Sequence, residues 1–583
     1  MNENNQHWLF WPLVAMAIRV RVVVSLRTAT FAARVSQRST ALAPVRGRLL
    51  SSEGSRRRVT EGTAPFGPMA AGVLVAVALL AVSCSGSDTD TAAFTGDSAA
   101  QVPAVEAPAT DAPAEEAPAA EVPAVDTAAA NTSEAESRQP GPDTDPRERG
   151  VLRNYVGYEF PPAPAVPTGP VDGLTVDTLE LIWLGLDIGG VAGLTVASLA
   201  DSDDARLGWI LSDLLRFFYA GDIHDGAVSA FERLTGAELS DDPVSDLSTW
   251  QSVTDHLIAW DLPAFDGYDD YKRRLFTLVE PRWAPFFDDA GTTIDWRLVS
   301  WGGVYIDDRE PGDPDPCPRG CIPALDDPAV TDAAGGSWYS DHSIVFAVVV
   351  GGEARAYPRH IMEIHEMVND TVGGRRIAMP YCTLCGSAQA YFTDDVPDGV
   401  AVPVLRTSGL LSRSNKVMYD LITESVFDTF TGEAVSGPLR EQAVVLNQAT
   451  VVTTTWGEWK AAHPDTTIVA SDGGIGRDYP LDPLRGRDDH GPIFPVGDVD
   501  GRLGVHDQVF GAVLDDGTPV AFEVLAARAA LSEGETVELA GVSLRLDGGG
   551  LRAVDAGGDE IEGHQAFWFA WSQFMDDTLL WQP

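Results

Sequence analysis

Ile344-Val345-Phe346-Ala347-Val348-Val349-Val350-Gly351-Gly352-Glu353-Ala354-Arg355-Ala356-Tyr357-Pro358 reads as a β-hairpin. The unbroken apolar, β-branched run is a strand buried on both faces. Gly351-Gly352 closes a tight turn, and Ala354 to Tyr357 returns beside it. A weaker copy lies downstream: Val509-Phe510-Gly511-Ala512-Val513, then Gly517, then Ala521-Phe522, with one extra turn residue and Glu523-Val524-Leu525-Ala526-Ala527 after it. This pairing is a candidate internal duplication. Two hairpin units with connecting strands favour an α+β domain over a parallel doubly wound sheet.

Outward from the first hairpin, Pro358 in a first turn predicts a helix over 358–368. Met362, His365, Glu366 and Asn369 would share one face of it, at i, i+3, i+4 and i+7. A strand over Arg376–Met379 would then carry Tyr381-Cys382-Thr383-Leu384-Cys385-Gly386-Ser387 to the side of that helix. Cys382, Cys385, His365 and Glu366 are therefore the candidate catalytic residues, and three chemistries suit them. Cys382, Cys385 and His365 supply three ligands of a tetrahedral zinc site, and thiolates also suit copper(I). A C-x-x-C pair near an imidazole can instead cycle between dithiol and disulfide. In the third, a Cys nucleophile is activated by His365 and oriented by Asn369 or Asp370, as in a hydrolase or transferase. Against all three stands a purely structural disulfide in a surface binding or scaffold module. Cys317-Pro318-Arg319-Gly320-Cys321 reads as a disulfide closing a tight loop of an exported protein.

Toward the N-terminus, Leu207, Ile210, Leu211, Leu214, Leu215, Phe217 and Phe218 recur at helix spacing, with Asp203 or Asp204 able to cap the start. A second helix over 226–234 stops at Gly236. Before them, residues 85–150 are Ala, Pro, Glu, Asp and Thr with almost no large apolar side chains, which predicts a disordered acidic tether. The run MAAGVLVAVALLAVS at 69–83 follows Arg56-Arg57-Arg58 and is short for a membrane span. Leu80-Ala81-Val82-Ser83-Cys84 resembles a lipobox, with Ala81 where a Leu is usual, so Cys84 is the expected lipidation site. Either a lipid there or an uncleaved anchor would hold the protein outside the cytoplasm, at the cell membrane. Residues 1–68 fit neither part and read as a leader or a start codon set too far upstream.

The chain has five cysteines and a formal net charge of −46. Its first 83 residues are basic, with ten Arg, no Lys and three Glu, so the acid is concentrated beyond Cys84. A surface of that sign repels nucleic acid and anionic headgroups, which excludes both as direct partners.

Several motifs together resemble the domain-of-unknown-function family 3179. They are Ala354-Arg355-Ala356-Tyr357-Pro358, His365-Glu366-Met367-Val368-Asn369-Asp370, Tyr381 to Ser387, Ser408-Gly409-Leu410, Met418-Tyr419-Asp420 and Thr455-Trp456-Gly457-Glu458-Trp459. The family commonly has Pro at the position of Thr383. The resemblance implies export or lipid anchoring and carries no reaction with it. The expected organisation is thus a leader at 1–68, a signal peptide at 69–84 and a tether at 85–150. A helical module follows at 151–300, then a mixed, largely antiparallel β-rich domain at 301–583.

Overall fold

The computed structural model describes residues 151–583 apart from 314, 316 and 487–490, and they follow the α+β plan. The leader, the apolar run, Cys84 and the tether lie outside the described residues. The helical part opens with α1, Gly173–Ile188. The Asp172 carboxylate caps it by accepting from the N–H groups of Leu174 (2.9 Å) and Thr175 (3.1 Å), and Gly189 closes it in the left-handed conformation. Then come α2 (Gly208–Phe217), α3 (Asp222–Thr235), α4 (Thr249–Ala259) and α5 (Tyr268–Val279). Asp204 caps a short 3-10 turn at Ala205–Leu207 ahead of α2, and Gly236 ends α3 as expected. Among the described residues, no helix is long and apolar enough to cross a membrane.

The helices do not keep a core to themselves. Trp183, Trp209, Leu257 and Trp283 pack in one cluster with Leu410, Val417 and Tyr419 of the first sheet. Trp283 also donates its indole N–H to the Ser408 carbonyl at 2.8 Å. That sheet joins β1 (Val299–Trp301), β6 (Leu405–Ser412) and β7 (Asn415–Asp420) to two shorter strands.

Between β1 and β6 run β2 (Ile344–Val350), β3 (Glu353–Pro358), helix α6 (Arg359–His365), β4 (Met367–Val372) and β5 (Arg375–Cys382). After β7 come β8 (Val452–Thr455), α7 (Trp456–Ala462) and β9 (Thr467–Val469). The chain ends with β10 (Gln508–Val513), β11 (Pro519–Glu523), α8 (Val524–Glu533), β12 (Gly563–Phe567), α9 (Trp568–Phe574) and β13 (Leu579–Trp581). The β-rich part is repeat-like, and the duplication is larger than the hairpins suggested. One sheet runs β8-β2-β3-β9, with Val330–Asp332 added beyond β9, and another runs β12-β10-β11-β13. In each, the hairpin pairs antiparallel with the strand before a Trp-x-x-Trp helix and parallel with the strand after it. The second Trp of each helix bonds a Thr seven residues on: Trp459 Nε1 to Thr466 Oγ1 at 2.9 Å, and Trp571 Nε1 to Thr578 Oγ1 at 2.8 Å. Between helix and closing strands, the first copy inserts β4 to β7, and the second inserts a small four-stranded sheet.

One predicted element is corrected. The helix expected over 358–368 stops at His365, because Glu366 takes a left-handed conformation (φ 50°) as its C-cap. Met367 to Val372 then pairs antiparallel with Arg375 to Pro380. The β-branched Val368, Thr371 and Val372 suit a strand better than a helix. The shared helical face of Met362, His365, Glu366 and Asn369 therefore does not exist.

Candidate functional site

The C-x-x-C segment is the tip of a hairpin. β5 extends through Cys382, the turn occupies 383–386, and Cys382 pairs with Ser387 as Tyr381 does with Ala388. Both thiols are free and buried, Cys382 at 2% exposure and Cys385 at 0%. They pack with Val496, Phe569 and Ala570, so the second copy roofs the pair carried by the first. Phe567, at the start of α9, donates its N–H to the Cys385 carbonyl at 2.8 Å.

The two sulfurs are unequal. Burial pushes the Cys382 thiol up, but hydrogen bonds from the Cys385 thiol and from backbone N–H groups of Lys416 and Cys385 more than offset this and hold it below the ordinary range. Cys385 is pushed well above that range by burial and by its neighbour Cys382. Its Sγ lies 3.3 Å from the Ser414 carbonyl and 3.5 Å from the Ser414 hydroxyl. Ser414 Oγ donates to Gln573 Oε1 (3.2 Å), and Gln573 Nε2 donates to the Val496 carbonyl (2.9 Å). The Val496 and Gly497 N–H groups in turn reach Asp255 Oδ1 at 2.6 and 2.7 Å, an acid that burial raises to about 8. A continuous line of polar contacts thus ties α4 of the helical part to the thiols.

On the other side stands a buried ion pair. Lys416 Nζ donates to the Glu366 carbonyl at 2.5 Å and lies 3.4 Å from Glu366 Oε2. Thr383 Oγ1 donates to Glu366 Oε1 at 3.1 Å. Burial lowers the Lys416 pKa, while the negative charges of Glu366 and Cys382 oppose the shift. The Glu366 carboxylate opposes the Cys382 thiolate, while the thiolate's charge favours the Lys416 ammonium.

His365 is placed elsewhere. Its Nδ1 meets the Pro323 carbonyl at 2.6 Å and its Nε2 the Tyr479 hydroxyl at 2.7 Å, and burial lowers its pKa to about 4. Both ring nitrogens are spent away from the thiols. Asn369 bonds Asp326 and Leu405, while Asp370 pairs with Arg355 and Tyr357, so neither orients His365. Sequence alone missed Lys416, Ser414 and Gln573, because no motif spacing links them to the cysteines.

Cys317 and Cys321 are joined as the predicted disulfide, with Cα atoms 5.4 Å apart. Arg319 at the loop tip pairs with the buried Glu280 and stacks over Tyr305, which fastens the loop to the helical part. Among the described residues, Asp307, Cys317 and Cys321 form the group whose ligand atoms lie within 4.8 Å of one another, a cluster able to coordinate a metal ion. Its donors are already engaged. The sulfurs are bonded to each other, and the Asp307 carboxylate accepts from Arg309 Nε (2.7 Å) and the Ala324 N–H (2.7 Å). Metal would need the reduced form.

Residues 319–546 match the model of a family described as "Protein of unknown function (DUF3179)". The match takes in Glu366, both free thiols and Lys416, and ends before β12 and α9. No curated protein and no solved structure matches the chain.

Proposed function

We infer that this chain is an extracytoplasmic binding and scaffolding module, stapled by Cys317–Cys321, whose helical part recruits a protein partner. The observation that carries this reading is the outer face of α1. Leu174, Leu181, Leu184 and Ile188 form one stripe at helix spacing and are 76, 60, 55 and 67% exposed. An apolar stripe of that length on a water-facing helix marks an interaction surface. A groove of about 690 Å³ beside α1, lined in part by Val176, Phe265 and Tyr271, adds a concave edge. Asp177 lies on the same face between Leu174 and Leu181 and Asp187 lies at its edge, both exposed, while Glu180 is already paired with Arg274, so the partner should bring a basic group to Asp177. Anchoring through Cys84 and the tether rests on the sequence motifs. With a photo-crosslinking amino acid at position 181 in cells, one adduct should form and should vanish in Leu184→Asp. The reading fails if position 181 gives the same products as exposed position 525 on α8.

A second reading is favoured by the unequal thiols: dithiol–disulfide cycling at Cys382 and Cys385. Once the cover of Val496, Phe569 and Ala570 opens, the Cys382 thiolate would attack one sulfur of a partner disulfide, forming a mixed disulfide and releasing the other sulfur as a thiolate. Cys385 would then lose its proton and attack Cys382 Sγ, closing the intramolecular bond and releasing the partner as a dithiol, reduced by two electrons. Oxidised glutathione should remove two titratable thiols from the chain, and Cys382→Ser should block formation of the internal disulfide. Zinc or copper bound in one equivalent and lost in the double Cys→Ala variant would instead assign the pair to metal. Thiols that stay reduced and metal-free under both treatments would sink both chemistries.

A further inference from the structure

Arg216 stands out among the arginines. Most arginines in comparable surroundings here face a carboxylate: Arg206 meets Asp204, Arg309 meets Asp307, and Arg355 meets Asp370. Arg216, near the C-terminal end of α2, has its guanidinium among aromatic rings instead. Its Cζ lies 4.4 Å from the ring centroid of Trp250 on α4 and 5.4 Å from those of Trp301 on β1 and Phe494. Its Nε donates to the Trp301 carbonyl at 2.6 Å. Neither Nη has a hydrogen bond or ion pair with any described residue.

Ring faces hold a guanidinium in plane and attract its charge, but they do not satisfy its N–H groups. Nor do they replace a counterion. Arg216 is half-buried with no carboxylate beside it, and that desolvation lowers its pKa to about 10. The residue at the guanidinium edge is Gly303, where a side-chain Cβ would stand 3.5 Å from Nη2. That is ordinary contact, and glycine there answers to a φ of 92°; what opens the edge is that Gly303 is itself exposed to solvent.

We propose that Arg216, walled by Trp250, Trp301 and Phe494, is a binding site for the oxyanion of a ligand, a carboxylate or a phosphate group. The planar fork offers such a group two parallel N–H donors, and the rings that orient it keep the contact partly dry. The surrounding chain is strongly acidic, which disfavours polyanions and leaves the site to a single anionic group whose attached body can lie on the aromatic faces. The site stands at the junction of the helical part and the first sheet. It owes nothing to the thiols.

Trp250 and Trp301 make the test direct, since an anion on the guanidinium changes the indole environment. Sodium phosphate and sodium acetate are titrated separately into the full chain at constant ionic strength, with chloride as control, and tryptophan emission is followed. At least one of the two should give a saturable change. That change should weaken tenfold or more in Arg216→Lys, which keeps the charge without the fork, and disappear in Arg216→Met. Saturation by acetate alone assigns a carboxylate ligand, and by phosphate alone a phosphate. A response no different from chloride overturns the proposal, as does an unchanged titration in Arg216→Lys with native circular dichroism. The Lys variant keeps the test decisive if Arg216→Met fails to fold.

Discussion

Arg406→Met should cost the protein about 3–5 kcal/mol of stability, the usual loss when one partner of a buried ion pair is removed. Arg406 is fully buried on β6 and binds Asp326 through both Nη atoms, at 2.9 and 2.8 Å. Its Nε lies 3.8 Å from Asp307 Oδ2. Met fills much of the same volume but supplies no charge, so two buried carboxylates lose a shared cation. Asp326 would keep only the Asn369 amide and the Gly312 N–H, and Asp307 would keep Arg309 and the Ala324 N–H. Urea unfolding should show a lowered midpoint with an unchanged slope. Arg376→Met is the control, because its ion pair with Asp327 is at the surface and should be worth less than about 1 kcal/mol. Equal losses in the two variants would mean that burial is not what gives the Arg406 pair its weight. Asp326 also pairs beside β4, as Asp327 N–H bonds the Asn369 carbonyl, so the expected damage reaches the strand that follows Glu366.

Local signals were readable where local energies decide. The β2–β3 hairpin stands where the Gly-Gly turn and the valine run put it, and α3 ends at Gly236 because a left-handed cap there costs glycine nothing. Predicted helix 358–368 fails at a single residue. Nothing about Glu366 as a residue type announces a left-handed cap; its conformation is held by Lys416 and Thr383, reached only through tertiary structure. The site suffers the same way. Cys382 and Cys385 are neighbours in sequence, but Lys416, Ser414 and Gln573 come from β7, the turn before it and α9. His365 looked closer to the thiols than it is, because sequence proximity says nothing of which way a ring turns. The duplication did have a further written trace. Trp456-x-x-Trp459 and Trp568-x-x-Trp571 each precede a Thr by the same interval, but insertions of different length between the halves hide the common frame.

Gly511→Ala should be the most disruptive single methyl in the second copy. A Cβ at Gly511 would stand 2.2 to 2.4 Å from three ring carbons of Trp571, far inside contact distance. The indole has little room to withdraw, being buried to 1% exposure and fixed by its bond to Thr578. In the first copy the equivalent position is Ala347, which packs in the cluster containing Trp456 and Trp459. The hairpin itself therefore accepts alanine, and it is the seating of Trp571 that demands glycine. Overpacking of a dense core costs about 1–3 kcal/mol, and this contact is severe enough to reach the upper end. The displacement should also travel. Gln573 lies two residues beyond Trp571 on α9 and holds Ser414, whose carbonyl and hydroxyl contact Cys385. Alkylation of the thiols by iodoacetamide should consequently be faster in Gly511→Ala than in the parent, under conditions where both are folded. Adding Trp571→Phe removes the clashing ring atoms and should restore part of the stability in the alanine background, although alone it destabilises. A variant as stable as the parent, with thiols equally slow to react, would show that α9 does not brace the pair.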